Sequence, residues 1–107
     1  MPEIFMIEPS SIRILYIDDD PFVCDLFKGS VEAHGHIVDV AYNGEDGRAM
    51  HATDPYDLLA IDYELPDLNG LEIARRLLLE DQFLPIIMVT GKGSEQIAAE
   101  ALKLGLS

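Results

Sequence analysis

An α/β fold built on a doubly wound parallel sheet is predicted by three features of this chain. Short runs rich in β-branched residues, 12–17, 58–61 and 86–89, are bounded by turn residues and read as strands buried on both faces. Between them lie stretches with apolar residues at helical spacing. Each run also ends on groups suited to phosphate or its counter-ion: Asp18-Asp19-Asp20, Asp62 and Thr90. Ligands bind outside the carboxyl ends of the strands in such sheets. Carboxylates and a hydroxyl gathered at that rim have the makings of a metal-assisted phosphoryl site.

The elements follow in order. Residues 12–18 form the first strand. Asp20 then caps a helix that Pro21 opens, since a carboxylate satisfies free N–H groups and proline suits the first turn. Phe22, Val23, Leu26, Phe27 and Val31 supply its apolar stripe, which stops near Gly35. Residues 36–41 alternate polar and apolar, as an edge strand would. Asn43-Gly44 signals a turn into a weak helix through about His51, with Gly47 inside it at a cost of roughly 1 kcal/mol relative to alanine.

Asp54-Pro55 breaks the chain before a strand over 57–62. Residues 63–69 form a loop, and 70–81 a helix packed through Leu71, Ala74, Leu77 and Leu78. A fourth strand spans 85–90. Gly91-Lys92-Gly93 is a connection, and Ser94 caps a helix carrying Ile97, Ala98, Ala101 and Leu102. The sum is (βα)₄, whose right-handed crossovers imply the doubly wound sheet. Residues 1–10 read as a tail or packing arm ahead of one domain over 11–107.

Composition narrows the function. Seven basic against twenty acidic residues give a net charge of −13, a field that repels nucleic acid and phospholipid headgroups. Direct DNA binding by this segment is not expected, and contact with phosphate would require a cation. No apolar run approaches the roughly 18 residues of a membrane span, and the first residues lack a secretory signal. Cys24 is the only cysteine, which points to a cytoplasmic protein without an internal disulfide. With no histidine near it in sequence, Cys24 reads as a small buried hydrophobe. His34, His36 and His51 lack ligand spacing and read as surface or strand-end residues.

The chain resembles the response-regulator receiver domains of two-component signalling, which have the flavodoxin-like, CheY-like fold. The resemblance rests on Ile14-Leu15-Tyr16-Ile17-Asp18-Asp19-Asp20-Pro21, on Asp57-Leu58-Leu59-Ala60-Ile61-Asp62 with Leu65-Pro66-Asp67-Leu68-Asn69-Gly70, and on Pro85-Ile86-Ile87-Met88-Val89-Thr90-Gly91. It implies that Asp62 is the phospho-acceptor, which suits a carboxylate, a competent nucleophile toward phosphorus. It implies a Mg²⁺ site, which Mn²⁺ would also fill, held by Asp19, Asp62 and the main-chain carbonyl of Glu64, with Asp18 acting through water. Strands about 4.8 Å apart can bring these carboxylates together. Two such charges about 4 Å apart repel by roughly 4 kcal/mol at an effective dielectric near 20, so a hard divalent ion is the natural partner.

By the same resemblance Thr90 is the phosphoryl-binding switch hydroxyl, and the loop after it is the element that moves. Gly91 leaves room for the phosphoryl group. Glu64 and Lys92 flank the group, either as an ion bridge over it or as two solvated side chains. Tyr63 is either a surface aromatic or part of a partner face. Implied partners are a sensor histidine kinase or phosphotransfer protein and a downstream effector.

The pattern departs from the family at its end. Receiver domains continue into a fifth strand and helix, with an aromatic switch residue and a phosphate-pairing lysine that this sequence does not contain. The expectation is a receiver fold truncated after its fourth βα unit, whose exposed sheet edge invites homodimerisation or domain swapping. Three functions therefore compete. The first is a phospho-accepting switch, an enzyme at most toward its own aspartyl phosphate. The second is a non-phosphorylated interaction module. The third, a haloacid-dehalogenase-type phosphatase, fits Asp62-Tyr63-Glu64-Leu65-Pro66 only imperfectly.

Overall fold

A computed structural model of the chain describes residues 11–89. Its elements are β1 (Arg13–Ile17), α1 (Pro21–Glu32), β2 (Ile37–Ala41), α2 (Gly44–Thr53), β3 (Leu58–Asp62), α3 (Gly70–Glu80) and β4 (Ile86–Val89). The first ten residues, Thr90, the Gly91-Lys92-Gly93 connection and the helix expected from Ser94 lie outside the described residues.

Successive side chains of a strand point to opposite faces, and β1 divides its residues accordingly. Leu15 and Ile17 join a core with Leu59, Ile61, Ile73, Ala74 and Leu77. Ile14 and Tyr16 join a second core with Cys24, Val38 and Ala60, against which Val23, Phe27 and Val31 of α1 pack. So α1 covers one face, while α2 and α3 share the other. The four strands are parallel in the order β2-β1-β3-β4. The doubly wound sheet is present, with β2 at an edge as its alternating sequence implied.

Several sequence readings are corrected. The run 86–89, read as buried on both faces, lies at the other sheet edge with Ile87 and Val89 exposed, because no described strand pairs with its outer side. Phe22 and Leu26 were expected in the buried stripe of α1, yet they are 69% and 56% exposed. The buried line runs through Val23, Cys24, Phe27 and Val31, and at about 100° per residue positions 22 and 26 fall on the far side. His51 was expected at the surface or a strand end, yet it is buried, 7% exposed. Its Nδ1 accepts the Tyr56 N–H at 3.0 Å, and its Nε2 lies 3.5 Å from an Asp81 oxygen. A buried amide at the approach to β3 needs an acceptor, and the imidazole provides it. Tyr63 is half-buried against the first core.

The caps explain the boundaries. Asp20 accepts from Phe22 and Val23 at the head of α1, as expected. Gly35, at φ +90°, takes the left-handed turn after that helix. Asn43 and Asn69 cap α2 and α3 through the N–H groups of Asp46 and Glu72. Asp57, expected inside the third strand, instead turns its carboxylate to the Arg13 N–H at 2.8 Å. The expected cost of Gly47 has a reason: a Cβ there would approach Ile17 Cδ1 to 2.3 Å, so α2 rides closer to β1 than alanine allows.

Candidate metal and phosphoryl site

Ile17 of β1 lies opposite Ile61 of β3, so the next position on each strand carries Asp18 and Asp62 side by side. The Asp18 N–H extends the ladder to the Ala41 carbonyl, and the Tyr63 N–H does the same to Val89. Parallel pairing thus delivers both aspartates to the same carboxyl rim. One oxygen from each of Asp18, Asp19 and Asp62 falls within 4.8 Å of the others. The acid pair and the lone aspartate, separated by more than forty residues of chain, converge as expected.

Their settings differ. Asp18 is buried, with only 6% exposure. Its Oδ2 accepts the Tyr16 hydroxyl at 2.7 Å and its Oδ1 the Asp20 N–H at 3.0 Å. Asp19 is exposed, and Asp62 is intermediate. Burial and the Asp18 charge, with smaller contributions from Asp19 and Glu64, hold the Asp62 carboxyl above its ordinary range. A Glu64 backbone hydrogen bond to that carboxyl acts in the opposite sense. Backbone at position 64 therefore lies against the Asp62 carboxylate.

This set suits a hard cation. It offers only oxygen donors, and its charges destabilise one another until a counter-charge arrives. Mg²⁺ binds through one or two carboxylates, keeps several waters and accepts phosphate oxygens. Asp20, whose side chain is committed to capping α1, stands apart from the cluster, as the sequence suggested. Thr90 and Lys92 lie outside the described residues.

Three contributors escaped the sequence reading. Tyr16 reaches Asp18 from within the core; a tyrosine among aliphatic strand residues, two before an aspartate, was the available signal. Asp67 accepts the N–H groups of Gly44 and Glu45 at 3.0 and 2.9 Å, tying the loop after Asp62 to the head of α2. Gly70 packs so tightly under that loop that a Cβ would sit 2.3 Å from the Asp62 carbonyl oxygen. Neither of the last two contacts has a local sequence signal.

Comparison with known proteins gives a consistent answer. A family model described as "Response regulator receiver domain" matches residues 14–107. The chain is 35% identical over 94 residues to the transcriptional regulatory protein TrcR of Mycobacterium tuberculosis, covering 88% of this chain and 37% of that protein. It is 36% identical over 95 residues to the transcriptional regulatory protein CusR of Escherichia coli, covering 88% and 41%. The chain therefore spans about two fifths of the length of these curated relatives. Among solved structures, a CheY-like receiver domain protein from Methanospirillum hungatei superposes with a TM-score of 0.85 at 31% identity, covering 92% of this chain and 78% of that one. Vibrio cholerae CheY4 has the same fold, with a TM-score of 0.86 at 21% identity over 92% and 83% of the two chains.

Proposed function

We propose an aspartate-borne phosphoryl switch, starting from the premise that this chain belongs to the response regulator receiver domain family. Asp62 is the acceptor in this reading. Its carboxylate oxygen forms a bond to phosphorus as the bond from phosphorus to a donor histidine nitrogen breaks, and the freed imidazole takes up a proton. The product is an acyl phosphate that water can later cleave.

The observation that carries the reading is the convergence of Asp18, Asp19 and Asp62 oxygens within 4.8 Å at the carboxyl rim. Phosphoryl transfer asks the protein chiefly for in-line positioning and for neutral surroundings at the transferring oxygens. Asp19, Asp62 and the Glu64 carbonyl would hold Mg²⁺ directly and Asp18 through water; when bound, the ion supplies that neutralisation. Asp62 itself offers the nucleophile at a half-buried position, where burial and the Asp18 charge raise the proton affinity of its carboxyl. A bound cation would favour the ionised form that attacks.

Thr90 would donate its hydroxyl to a phosphoryl oxygen, and the loop after it would answer the new charge. A sensor kinase or phosphotransfer protein supplies the phosphate, and an effector reads the result. A segment carrying −13 would influence DNA only through such an effector, and it would work in the cytoplasm. No helix among the described residues is long and apolar enough to cross a membrane.

Acetyl phosphate with Mg²⁺ tests the reading. Acid-labile, base-sensitive label is expected on the unaltered protein, none with chelator, and none on Asp62→Asn. Label that persists in Asp62→Asn would assign the acceptor to another carboxylate.

A further inference from the structure

Asp18 is anchored at every polar atom. Its N–H donates to the Ala41 carbonyl at 3.0 Å, and its carbonyl accepts the Cys24 thiol at 3.2 Å. Its carboxylate takes the Asp20 N–H on one oxygen and the Tyr16 hydroxyl on the other. Among the described residues, no hydrogen bond or ion pair engages the carboxylate of Asp19. The cluster thus pairs one rigid carboxylate with one free to adjust.

The Tyr16 hydroxyl is the informative partner. Residue 16 is 2% exposed, and its ring stacks on Phe27 with centroids 4.2 Å apart and planes 11° from parallel. Phenylalanine would make the same packing without carrying a hydroxyl into the core. A buried hydroxyl costs stability unless it is hydrogen-bonded, and a carboxylate is among the stronger acceptors. Positions 16 and 18 lie two apart along the chain, the spacing at which strand side chains share a face, and the hydroxyl reaches the carboxylate from within the core.

We propose that Tyr16 is a positioning residue of the cation site, acting through Asp18: its hydroxyl holds the Asp18 carboxylate in the orientation that receives a water of the bound ion. The proposal rests on the metal reading above and adds a residue to it. Partners of this kind, one shell out from a metal, typically contribute 10–100-fold to affinity. Here the effect belongs near the lower end, because Asp18 acts through water.

The test is a Mg²⁺ titration followed by the backbone amide signal of Glu64 in NMR spectra, paired with the rate of labelling by acetyl phosphate. Tyr16→Phe should raise the half-saturating Mg²⁺ concentration about tenfold, while labelling at saturating Mg²⁺ returns to the unaltered rate. In an Asp18→Asn background the same change should add less than about twofold, since residues acting through one another are not additive. A purely structural role would lower the unfolding midpoint and leave half-saturation alone, which overturns the proposal. So would a full effect persisting in Asp18→Asn.

Should Tyr16→Phe fail to fold, the unaltered protein decides. The Tyr16 ring signals should move with the same half-saturation as the Glu64 amide, while those of Tyr56 stay still. A silent Tyr16 beside a responding Glu64 overturns this inference alone. Absence of any Mg²⁺ response in the unaltered protein removes the metal site and the inference with it.

Discussion

On the flank where α2 meets α3, Glu45, Glu72 and Glu80 each lie within 3.6 Å of Arg48, Arg75 or Arg76. At the carboxyl rim, Asp18, Asp19 and Asp62 crowd together with no ion pair to a basic side chain among the described residues. The two regions treat the same chemical group in opposite ways. Hydrogen bonds from Arg75 and Arg76 pull the Glu72 carboxyl down to about 2, whereas burial and the Asp18 charge push that of Asp62 up. All five described basic residues are engaged elsewhere: Arg13 with Asp54, Lys28 with Glu32, and the other three on the flank. Paired carboxylates dock elements. Those left facing one another make up the proposed cation site, where an added cation would have unpaired charge to neutralise.

The sharpest way to break the rim is from beneath. In Gly70→Ala the new Cβ would meet main-chain atoms of Asp62 and Tyr63, which cannot swing aside. A loss of about 3 kcal/mol is expected in urea unfolding, at the upper end for overpacking. A change within about 0.5 kcal/mol would mean the loop under Asp62 is more pliant than its packing implies.

Asp67 sharpens the contrast, since it sits five residues from Asp62 and shifts the other way. Burial opposes its ionisation, but N–H groups of Gly44, Glu45 and Leu68 outweigh it and hold the carboxyl below its ordinary range. Asp67→Ala should cost about 1–2 kcal/mol, as loss of a helix cap does. A depressed carboxyl contributes stability above its unfolded pKa and loses it as pH falls through the folded one. The gap between Asp67→Ala and the unaltered protein should therefore close below about pH 4. A pH-independent gap would assign the effect to packing.

The smallest effect belongs to the flank. Arg48→Gln removes bridges to Glu45 and Glu80 near the surface, worth at most about 1 kcal/mol and less at high salt. A larger, salt-insensitive loss would show that this network does more than align α2 with α3.

Much of this contrast is legible in the chain itself. Strands β1 and β3 declare themselves because strands buried on both faces need unbroken apolar runs, and the aspartates stand where those runs stop; β4 has a similar run, although Ile87 and Val89 are exposed at the sheet edge. Asp20, Asn43 and Gly35 are readable because capping and left-handed turns are local chemistry. What escapes depends on contacts distant in sequence. Phe22 and Leu26 are apolar at plausible spacing, and only the seating of α1 shows that Val23 and Cys24 face inward in their place. His51 becomes a core residue only when α2 approaches the sheet closely enough to meet the Tyr56 amide. The Asp67 clamp joins positions more than twenty residues apart, and no local pattern encodes it.

The central claim is that a cation reconciles the rim, and urea unfolding of the unaltered protein and Asp62→Asn, each with and without Mg²⁺, tests it most directly. An aspartate whose carboxyl is raised in the folded state costs stability at pH above that raised value and is relieved below it. At neutral pH without Mg²⁺, Asp62→Asn should accordingly be the more stable, by an amount between about 1 and about 4 kcal/mol, the repulsion of two charges about 4 Å apart at water-like and near-surface dielectrics. Saturating Mg²⁺ should raise the midpoint of the unaltered protein, leave the variant nearly unmoved and reverse their order. If Mg²⁺ moves neither protein, or both equally, the rim is not a cation site.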